Sequence, residues 1–493
     1  MNPLPSQHAA ANGAAPSSAA APPAAASTNG TAAQARRSRL PGRFARLPEL
    51  AGPGFLPIAL FARLPLAMLT VGTLTLATAV SHSYAVGGLA AGAVGIGSAV
   101  GAPVLGALAD RAGQRAVLLL AAAVNTLAVV ALILAAYLTP AFGTPADAAA
   151  VVITAFLSGA SCPQVGPMAR VRWMALTTRD LAATDPARTT GGPAGERGPG
   201  RTSGSVATRR AELDTALSYE GTADELTFVL GPALVGLLAS IFVPWLPLAL
   251  AAGLTATLVP AFAVHPSHLA VVPARRKAEA GVGQHPEMKH PTRAGAFAWL
   301  KVMVAVLAMI CMGTFFGSLQ NALSAFSAQF ATAEIAGLMY AVMGLSSAVA
   351  ALSVAYWPQR FGLTARWISA AVLMAALSLL LFLPSGIWPM VAVLLVLGIP
   401  VGPVMVTVFN IGGLVAPAGR MATVMTALAS GIVAGTALGA FLAGQMAQSQ
   451  GFTAAFVVSL ASAAALAMLG ASAAVLLRRG RAAQADGGRR PGA

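Results

Sequence analysis

The sequence predicts an all-α membrane protein with twelve transmembrane helices arranged as two bundles of six. Three observations predict this fold class. The 493-residue chain is 57% hydrophobic and only 9% charged, whereas an ordinary soluble domain carries about 25% charged residues. Twelve apolar runs have the length that a spanning helix needs, roughly 20 residues. Finally, Lys and Arg collect in every second connection between those runs.

The apolar runs fall into two sets of six, which a polar stretch over residues 265–292 separates. The first set predicts helices near 55–80, 84–108, 116–138, 148–168, 222–243 and 246–264. The second set predicts helices near 297–320, 334–356, 367–383, 387–413, 420–444 and 452–477.

The positions of Lys and Arg assign the connections to the two sides of the membrane. Six connections contain neither residue: 81–83, 139–147, 244, 318–335, 384–386 and 445–451. The bases lie in the others, at 36–46, 111 and 115, 170–210, 275–293, 360 and 366, 420, and 478–490. Because cytoplasmic loops collect Lys and Arg, we expect both termini in the cytoplasm and the chain in the cell membrane.

These spans and connections give the expected domain organisation. It consists of a disordered cytoplasmic tail (1–50), an N-terminal bundle (51–265), a central cytoplasmic loop (266–296), a C-terminal bundle (297–478) and a cytoplasmic tail (479–493). Within the N-terminal bundle we expect a flexible cytoplasmic loop at about 170–220, because residues 185–205 are rich in Gly, Pro, Arg and Thr.

A charged stretch between the second and third spans is the most distinctive motif. Its residues are Gly106, Leu108, Asp110, Arg111, Gly113 and Arg115. They match the pattern G-x-L-x-D-R-x-G-x-R/K, and the stretch resembles the loop between helices two and three of major facilitator superfamily transporters. The resemblance implies two parallel six-helix halves and a cytoplasmic gate. In that gate, Asp110 caps the N-terminus of a neighbouring helix, where backbone N–H groups favour an anion.

The second half repeats this motif only weakly. Arg360 and Gly362 occupy the places of Arg111 and Gly113, but Gln359 stands where the first half has Asp110. We therefore expect an acidic contact of this kind in the N-terminal half alone.

A Gly-Pro pair in the fifth span indicates a bent helix, because proline removes a backbone hydrogen bond. Gly231, Pro232 and Gly236 partly match the G-P-x-x-G-G pattern of the fifth helix of proton-driven antiporters. This resemblance favours export, although a kink that serves packing alone would leave the same pattern.

Charged residues inside spans are costly and are often functional. Arg63 lies in the first span, and Asp224 and Glu225 lie in the fifth. Arg63 either extends to the membrane surface or pairs with one of the two acids. In the second case, these residues are the candidates for an ion pair or for proton coupling.

The remaining spans lack a central charge, so we expect a cavity lined by amides, Phe, Met and small residues. The candidates are Gln164, Phe315, Phe316, Gln320, Asn321, Met405 and Asn410. Such a lining favours an apolar or weakly polar substrate.

The sequence shows no enzyme signature, no phosphate-binding loop and no metal-ligand spacing, so we expect no catalytic residue, cofactor or metal. The expected function is proton-coupled efflux of a small molecule by a monomer in the lipid bilayer, without nucleic acid. Two alternatives stay open: uptake of a neutral metabolite by the same fold, and a membrane sensor or scaffold that does not transport.

Overall fold

The computed structural model describes residues 43–139, 147–183, 199–273, 293–330, 335–358 and 360–487. Within these ranges the chain is helical, with turns and no strand. The described residues from Arg46 onward belong to one compact unit, and residues 43–45 belong to another.

Twelve helices are long and apolar enough to cross a membrane, as the sequence predicts. We number them α1 to α12. The N-terminal six are α1 (Phe55–Phe61 and Leu64–Ser81), α2 (Tyr84–Ala112), α3 (Gln114–Leu138), α4 (Ala149–Ala160 and Val165–Ala183), α5 (Pro199–Ile241) and α6 (Leu246–Val264). The C-terminal six are α7 (Arg293–Phe330), α8 (Ile335–Ser353), α9 (Leu363–Ser378), α10 (Ile387–Val415), α11 (Met421–Gln450) and α12 (Phe452–Gly487). Short helical turns occupy Arg43–Arg46, Leu47–Ala51, Pro266–Ala270, Val354–Tyr356 and Leu379–Phe382.

Two spans are interrupted. The first breaks at Arg63, where Pro65 lies in the first turn of the following segment. The fourth breaks between Ser161 and Gln164, at Pro163. Proline cannot donate a backbone hydrogen bond, so both interruptions have a local cause. Both lie beside the charged residues described below.

Helices of each half approach closely at glycines. In the N-terminal half, a Cβ on Gly97 or Gly101 would collide with the backbone of α4. In the C-terminal half, a Cβ on Gly435 or Gly439 would collide with the backbone of α7. Small residues let helices pack in lipid, where the hydrophobic effect does not hold them together. These glycines therefore stabilise each bundle internally.

The described parts of the segment at about 170–220, where the sequence predicts a flexible loop, are helical. α4 continues to Ala183, and α5 begins at Pro199, so the helices extend well into this region. The inner part of α5 packs tightly, with Ala216 and Leu217 almost fully buried. Packing of this kind stabilises a helix more than local propensity does. Residues 184–198 of the expected loop lie outside the described residues.

Helical segments also extend into the expected tails and into the expected central loop. Residues 43–51 form short helical turns, and α12 extends to Gly487. The central loop begins with the turn Pro266–Ala270 and ends where α7 starts at Arg293. Most of the two tails and residues 274–292 lie outside the described ranges.

Candidate functional site

The two bundles meet at the end of the molecule where the α2–α3, α8–α9 and α10–α11 connections lie, which we call the basic end. α2 packs on α11 and α5 packs on α8. Hydrogen bonds between the bundles join α5 to α8, α9 and α10, and join α2 to α11.

Asp110 caps the N-terminus of α11. Its Oδ1 accepts a hydrogen bond from the backbone N–H of Ala422 at 2.9 Å, and its Oδ2 accepts one from the backbone N–H of Thr423 at 2.8 Å. The Thr423 hydroxyl donates a third at 2.6 Å. The N-cap residue of α11, Arg420, supplies no side-chain cap of its own. A carboxylate of the other bundle therefore satisfies the free amides and the positive end of the helix dipole.

Two glycines of the same motif shape this contact. A Cβ on Gly106 would collide with the Thr426 hydroxyl and would lie 2.7 Å from the carbonyl oxygen of Ala422. Gly113 adopts a positive φ of 96°, which favours glycine. A Cβ there would also lie 3.0 Å from Pro273. The glycines thus permit the close approach of α2 to α11 and the sharp turn into α3.

The other motif residues take no part in the contact between the bundles. Arg111 and Arg115 are exposed, and neither forms an ion pair with a described residue. Leu108 is 44% exposed.

A second polar contact joins the bundles, between α5 and the C-terminal half. Arg366 Nη1 donates to Asp214 Oδ2 at 3.2 Å, and Asn410 Nδ2 donates to Asp214 Oδ1 at 2.9 Å. The Arg366 guanidinium also donates to the carbonyl oxygens of Phe361 and Pro358. Arg366 is only 2% exposed, so this is a buried ion pair.

A four-residue charge cluster lies inside the N-terminal bundle, where both α1 and α4 are interrupted. Arg63 pairs with Glu220 through Nη2 and with Asp224 Oδ1 through Nη1, the latter at 3.0 Å. Arg170 Nη2 pairs with Asp224 Oδ2 at 2.7 Å. The Trp173 indole N–H donates to Glu220 Oε1 at 2.8 Å. Two arginines thus balance two carboxylates, as burial inside a membrane requires.

Of the two expectations for Arg63, the structure shows pairing. Arg63 is 4% exposed and bonds to Asp224 and Glu220, and Glu225 is not its partner. Sequence reasoning missed Glu220 as a partner. The spacing of Glu220 and Asp224 by four residues on one helix was the available signal.

Glu225 instead faces the other bundle. Its Oε1 accepts a hydrogen bond from the Ser347 hydroxyl of α8 at 2.8 Å. One turn earlier on α5, the Thr222 hydroxyl donates to the Ala348 carbonyl oxygen at 3.0 Å. Glu225 is 5% exposed and forms no ion pair with a described residue. This buried carboxyl therefore bridges the two halves.

An aromatic contact connects the charge cluster with the second half. The Arg170 guanidinium carbon lies 4.0 Å from the ring centroid of Phe409 on α10. The contact combines a cation–π attraction with exclusion of water. Arg170 thus contacts Asp224 in its own bundle and Phe409 in the other.

The fully buried Arg172 binds the first residue of α3, directly after the turn that joins α2 to α3. It donates to Gln114 Oε1 at 2.9 Å, to the carbonyl oxygen of Phe262 at 2.8 Å and to the Ser267 hydroxyl at 3.0 Å. Its guanidinium also stacks on the Phe262 ring at 3.9 Å. Two arginines in one turn of α4 thus reach different sites: Arg170 contacts the charge cluster, and Arg172 contacts the start of α3.

Comparisons with known proteins agree with this architecture. The family model described as Major Facilitator Superfamily matches residues 203–430. The human organic anion transporter MFSD10 (TETRAN) is 18% identical, with a TM-score of 0.56 over 87% of this chain and 100% of that chain. A bacterial homologue of the iron transporter ferroportin, in an outward-facing state, is 14% identical, with a TM-score of 0.59 over 85% of this chain and 98% of that chain.

The match to the family model covers 228 of the 493 residues, and the chain has the fold of major facilitator superfamily transporters. The Escherichia coli fucose:proton symporter FucP, 14% identical, aligns with a TM-score of 0.54 over 85% of this chain and 98% of that chain. Identities this low establish the fold alone. Among proteins with curated descriptions, no sequence matches significantly. The superfamily fold supports secondary transport by alternating access.

The seven cavity candidates have different surroundings in the structure. Asn410 binds Asp214 near the basic end, and Asn321 donates to the Ala440 carbonyl oxygen within the C-terminal half. Gln164 donates to the Cys162 carbonyl oxygen at the break in α4. Phe315, Phe316 and Met405 are buried, whereas Gln320 is exposed. An apolar groove of about 480 Å³ between α2 and α4 is lined by none of the seven.

The Gly-Pro pair contributes to packing. A Cβ on Gly231 would lie 2.6 Å from the Cβ of Ala67, so α5 crosses α1 closely at this point. Pro232 lies inside α5, and Gly236 faces open space. Within the described ranges, no group of three or more His, Cys, Asp or Glu could hold a metal ion.

Proposed function

We propose that this chain exports a small, largely apolar compound across the cell membrane in exchange for protons. The basic end faces the cytoplasm in this proposal, because Lys and Arg concentrate on the cytoplasmic side of membrane proteins. The described conformation is then closed toward the cytoplasm by the contacts of Asp110 and Asp214.

Proton coupling rests on one observation, the hydrogen bond between Glu225 and Ser347. The Ser347 hydroxyl is a neutral partner that can hydrogen-bond to either the protonated or the ionised form of Glu225. Separation of α5 from α8 would expose Glu225 to the cytoplasm, and their approach would cover it again. Glu225 would then carry one proton per cycle in the direction opposite to the substrate.

The two interbundle contacts at the basic end would serve as the cytoplasmic gate. One contact joins an acid to a helix N-terminus of the opposite bundle, and the other joins an acid to a base of the opposite bundle. Contacts of this kind are stable only when the bundles meet, so they bias the equilibrium between two states. Export rather than uptake is favoured by the partial Gly-Pro resemblance in α5.

The experiment is accumulation of fluorescent apolar compounds in efflux-deficient cells. We expect the native chain to lower accumulation, a protonophore to restore it, and Glu225→Gln to abolish the difference. Glu49→Gln is the matched control, because Glu49 is an exposed acid outside the spans. Increased accumulation would instead identify uptake. Unchanged efflux by Glu225→Gln would contradict the role of this residue in proton coupling.

A further inference from the structure

Two arginines of the N-terminal bundle hold the carboxylate of Asp224. One oxygen binds Arg63 Nη1 at 3.0 Å, and the other binds Arg170 Nη2 at 2.7 Å. Charge-assisted hydrogen bonds of this kind are the strong ones. The other carboxylate, Glu220, is fully buried, whereas the side chain of Asp224 is 16% exposed. Asp224 is therefore the more accessible of the two carboxylates in the cluster.

The arginines also keep donors that Asp224 does not use. Arg63 Nε is buried and has no hydrogen-bond partner in the described part of the chain. It lies 3.6 Å from the position that a Cβ on Gly166 would take. Arg170 Nη1 lies 3.5 Å and Asp224 Oδ1 3.3 Å from the same position. The bare face of Gly166 thus adjoins two guanidinium nitrogens, one of them an unsatisfied buried donor, which costs free energy unless a ligand binds it.

The surroundings favour an anion with an apolar body. The Phe409 ring stacks on Arg170 from the other bundle, and Met405 lies one turn away on the same buried helix. Gly166 follows the break in α4, so the helix there leaves its side open instead of covering the arginines with a side chain. The C-terminal spans offer no acid or base at their centres.

The geometry points to a binding site for the carboxylate of an apolar organic acid, held by Arg63 and Arg170 over Gly166 in place of Asp224. Asp224 then turns toward the open space on its exposed side, and it expels the ligand when it returns. This inference rests on the proposed transport function and names the class of substrate. It also supplies the counter-charge that a carrier of anions needs.

The test measures binding to the purified full-length protein, independently of transport. Benzoate and its neutral isostere benzamide are the probes, and the readout is the shift in melting temperature with ligand concentration. We expect benzoate to raise the melting temperature of the native protein and benzamide to leave it unchanged. Equal shifts with both probes would overturn the inference.

Three variants locate the site. Gly166→Ala places a methyl group between the arginines, so we expect the affinity for benzoate to fall by about tenfold. Gly253→Ala is the control, because a Cβ there meets no atom within 4 Å. Asp224→Asn removes the competing carboxylate, and we expect the affinity for benzoate to rise by about tenfold.

If Gly166→Ala does not fold, Asp224→Asn still tests the inference. A site for cations would bind its ligand less tightly in this variant, whereas the proposed site binds benzoate more tightly. Loss of benzoate binding in Asp224→Asn would overturn the inference. An equal rise in melting temperature with benzoate for Gly166→Ala and for the native protein would also overturn the inference, because benzoate would then bind exposed arginines instead. Benzoate binding without efflux in cells would contradict the proposed function and leave this site standing.

Discussion

Arg366 and Asp214, 152 residues apart in the chain, form a buried ion pair that joins the two bundles at the basic end. In this pair, as in the contact between Asp110 and α11, the N-terminal half contributes the acid. In one contact, the N-terminal half contributes an acid to a helix N-terminus. In the other, the C-terminal half contributes a base to an acid on α5.

The first prediction concerns the charge of Asp110. Asp110→Asn keeps one acceptor but loses the interaction of a carboxylate with the N-terminus of α11, which contributes about 0.3–1 kcal/mol. We expect the bundles to separate more often at the basic end. Spin labels on Ala112→Cys and Ala418→Cys, in a background without Cys162 and Cys311, measure the distance distribution there.

Arg111→Gln is the matched control for this substitution, since Arg111 lies in the same loop and forms no ion pair with a described residue. It should leave the distance distribution unchanged. If Asp110→Asn also leaves it unchanged, Asp110 does not hold the basic end closed.

The second prediction tests the close approach at Gly106. Gly106→Ala places a methyl group against the Thr426 hydroxyl and the Ala422 carbonyl oxygen, so α2 and α11 must move apart. Overpacking of this kind costs about 1–3 kcal/mol. We expect a longer distance between the same spin labels and slower efflux. Gly92→Ala on the same helix is the control, because a Cβ at Gly92 meets no atom within 4 Å.

The third prediction is a double-mutant cycle on Asp214 and Arg366. Asp214→Asn leaves the buried Arg366 guanidinium without its carboxylate, at a cost of about 3–5 kcal/mol. We expect Asp214→Asn and Arg366→Gln each to lower the melting temperature strongly. The double variant should lose less than the sum of the single losses, because the two side chains contact each other and each single variant already loses their interaction. Additive losses would mean that the two residues do not interact.

Much of this architecture follows from the sequence, because hydropathy and the Lys/Arg pattern depend on neighbouring residues along the chain. Twelve spans and the short loop before Gly113 could be predicted in this way. The capping of a helix N-terminus by Asp110 could be expected from the motif, but its partner residues could not. The partner is an α11 backbone more than 300 residues away.

The contact between Asp214 and Arg366 could not be predicted for two reasons. Asp214 lies next to a Gly- and Pro-rich stretch, so its segment resembled a loop although it continues α5. Gln359 at the place of Asp110 also suggested that the second half lacked a comparable contact. The base that acts there is Arg366, six residues beyond Arg360, and only the folded chain brings it to α5.

The contacts of the cavity candidates could not be predicted, for a physical reason that concerns α10 in particular. Residues 400–413 of this helix are buried on all sides, so its hydropathy does not distinguish a face toward a cavity from a face toward another helix. Asn410 was selected for its amide, but that amide binds Asp214. The rotation of a helix inside a bundle depends on packing, which composition does not encode.

The last prediction concerns the hydroxyl of Ser347, which holds Glu225 across the interface. Ser347→Ala removes this hydrogen bond, worth about 1 kcal/mol, and leaves the carboxyl itself in place. We expect efflux driven by a pH gradient to slow several-fold, whereas exchange of labelled for unlabelled substrate without a gradient should persist. Ser346→Ala is the control, since the Ser346 hydroxyl donates only to the Met343 carbonyl oxygen of its own helix. If both variants slow gradient-driven efflux equally, the effect comes from packing in α8. If only Ser347→Ala slows it, proton transport depends on the hydrogen bond that Glu225 forms with the opposite bundle once in every cycle.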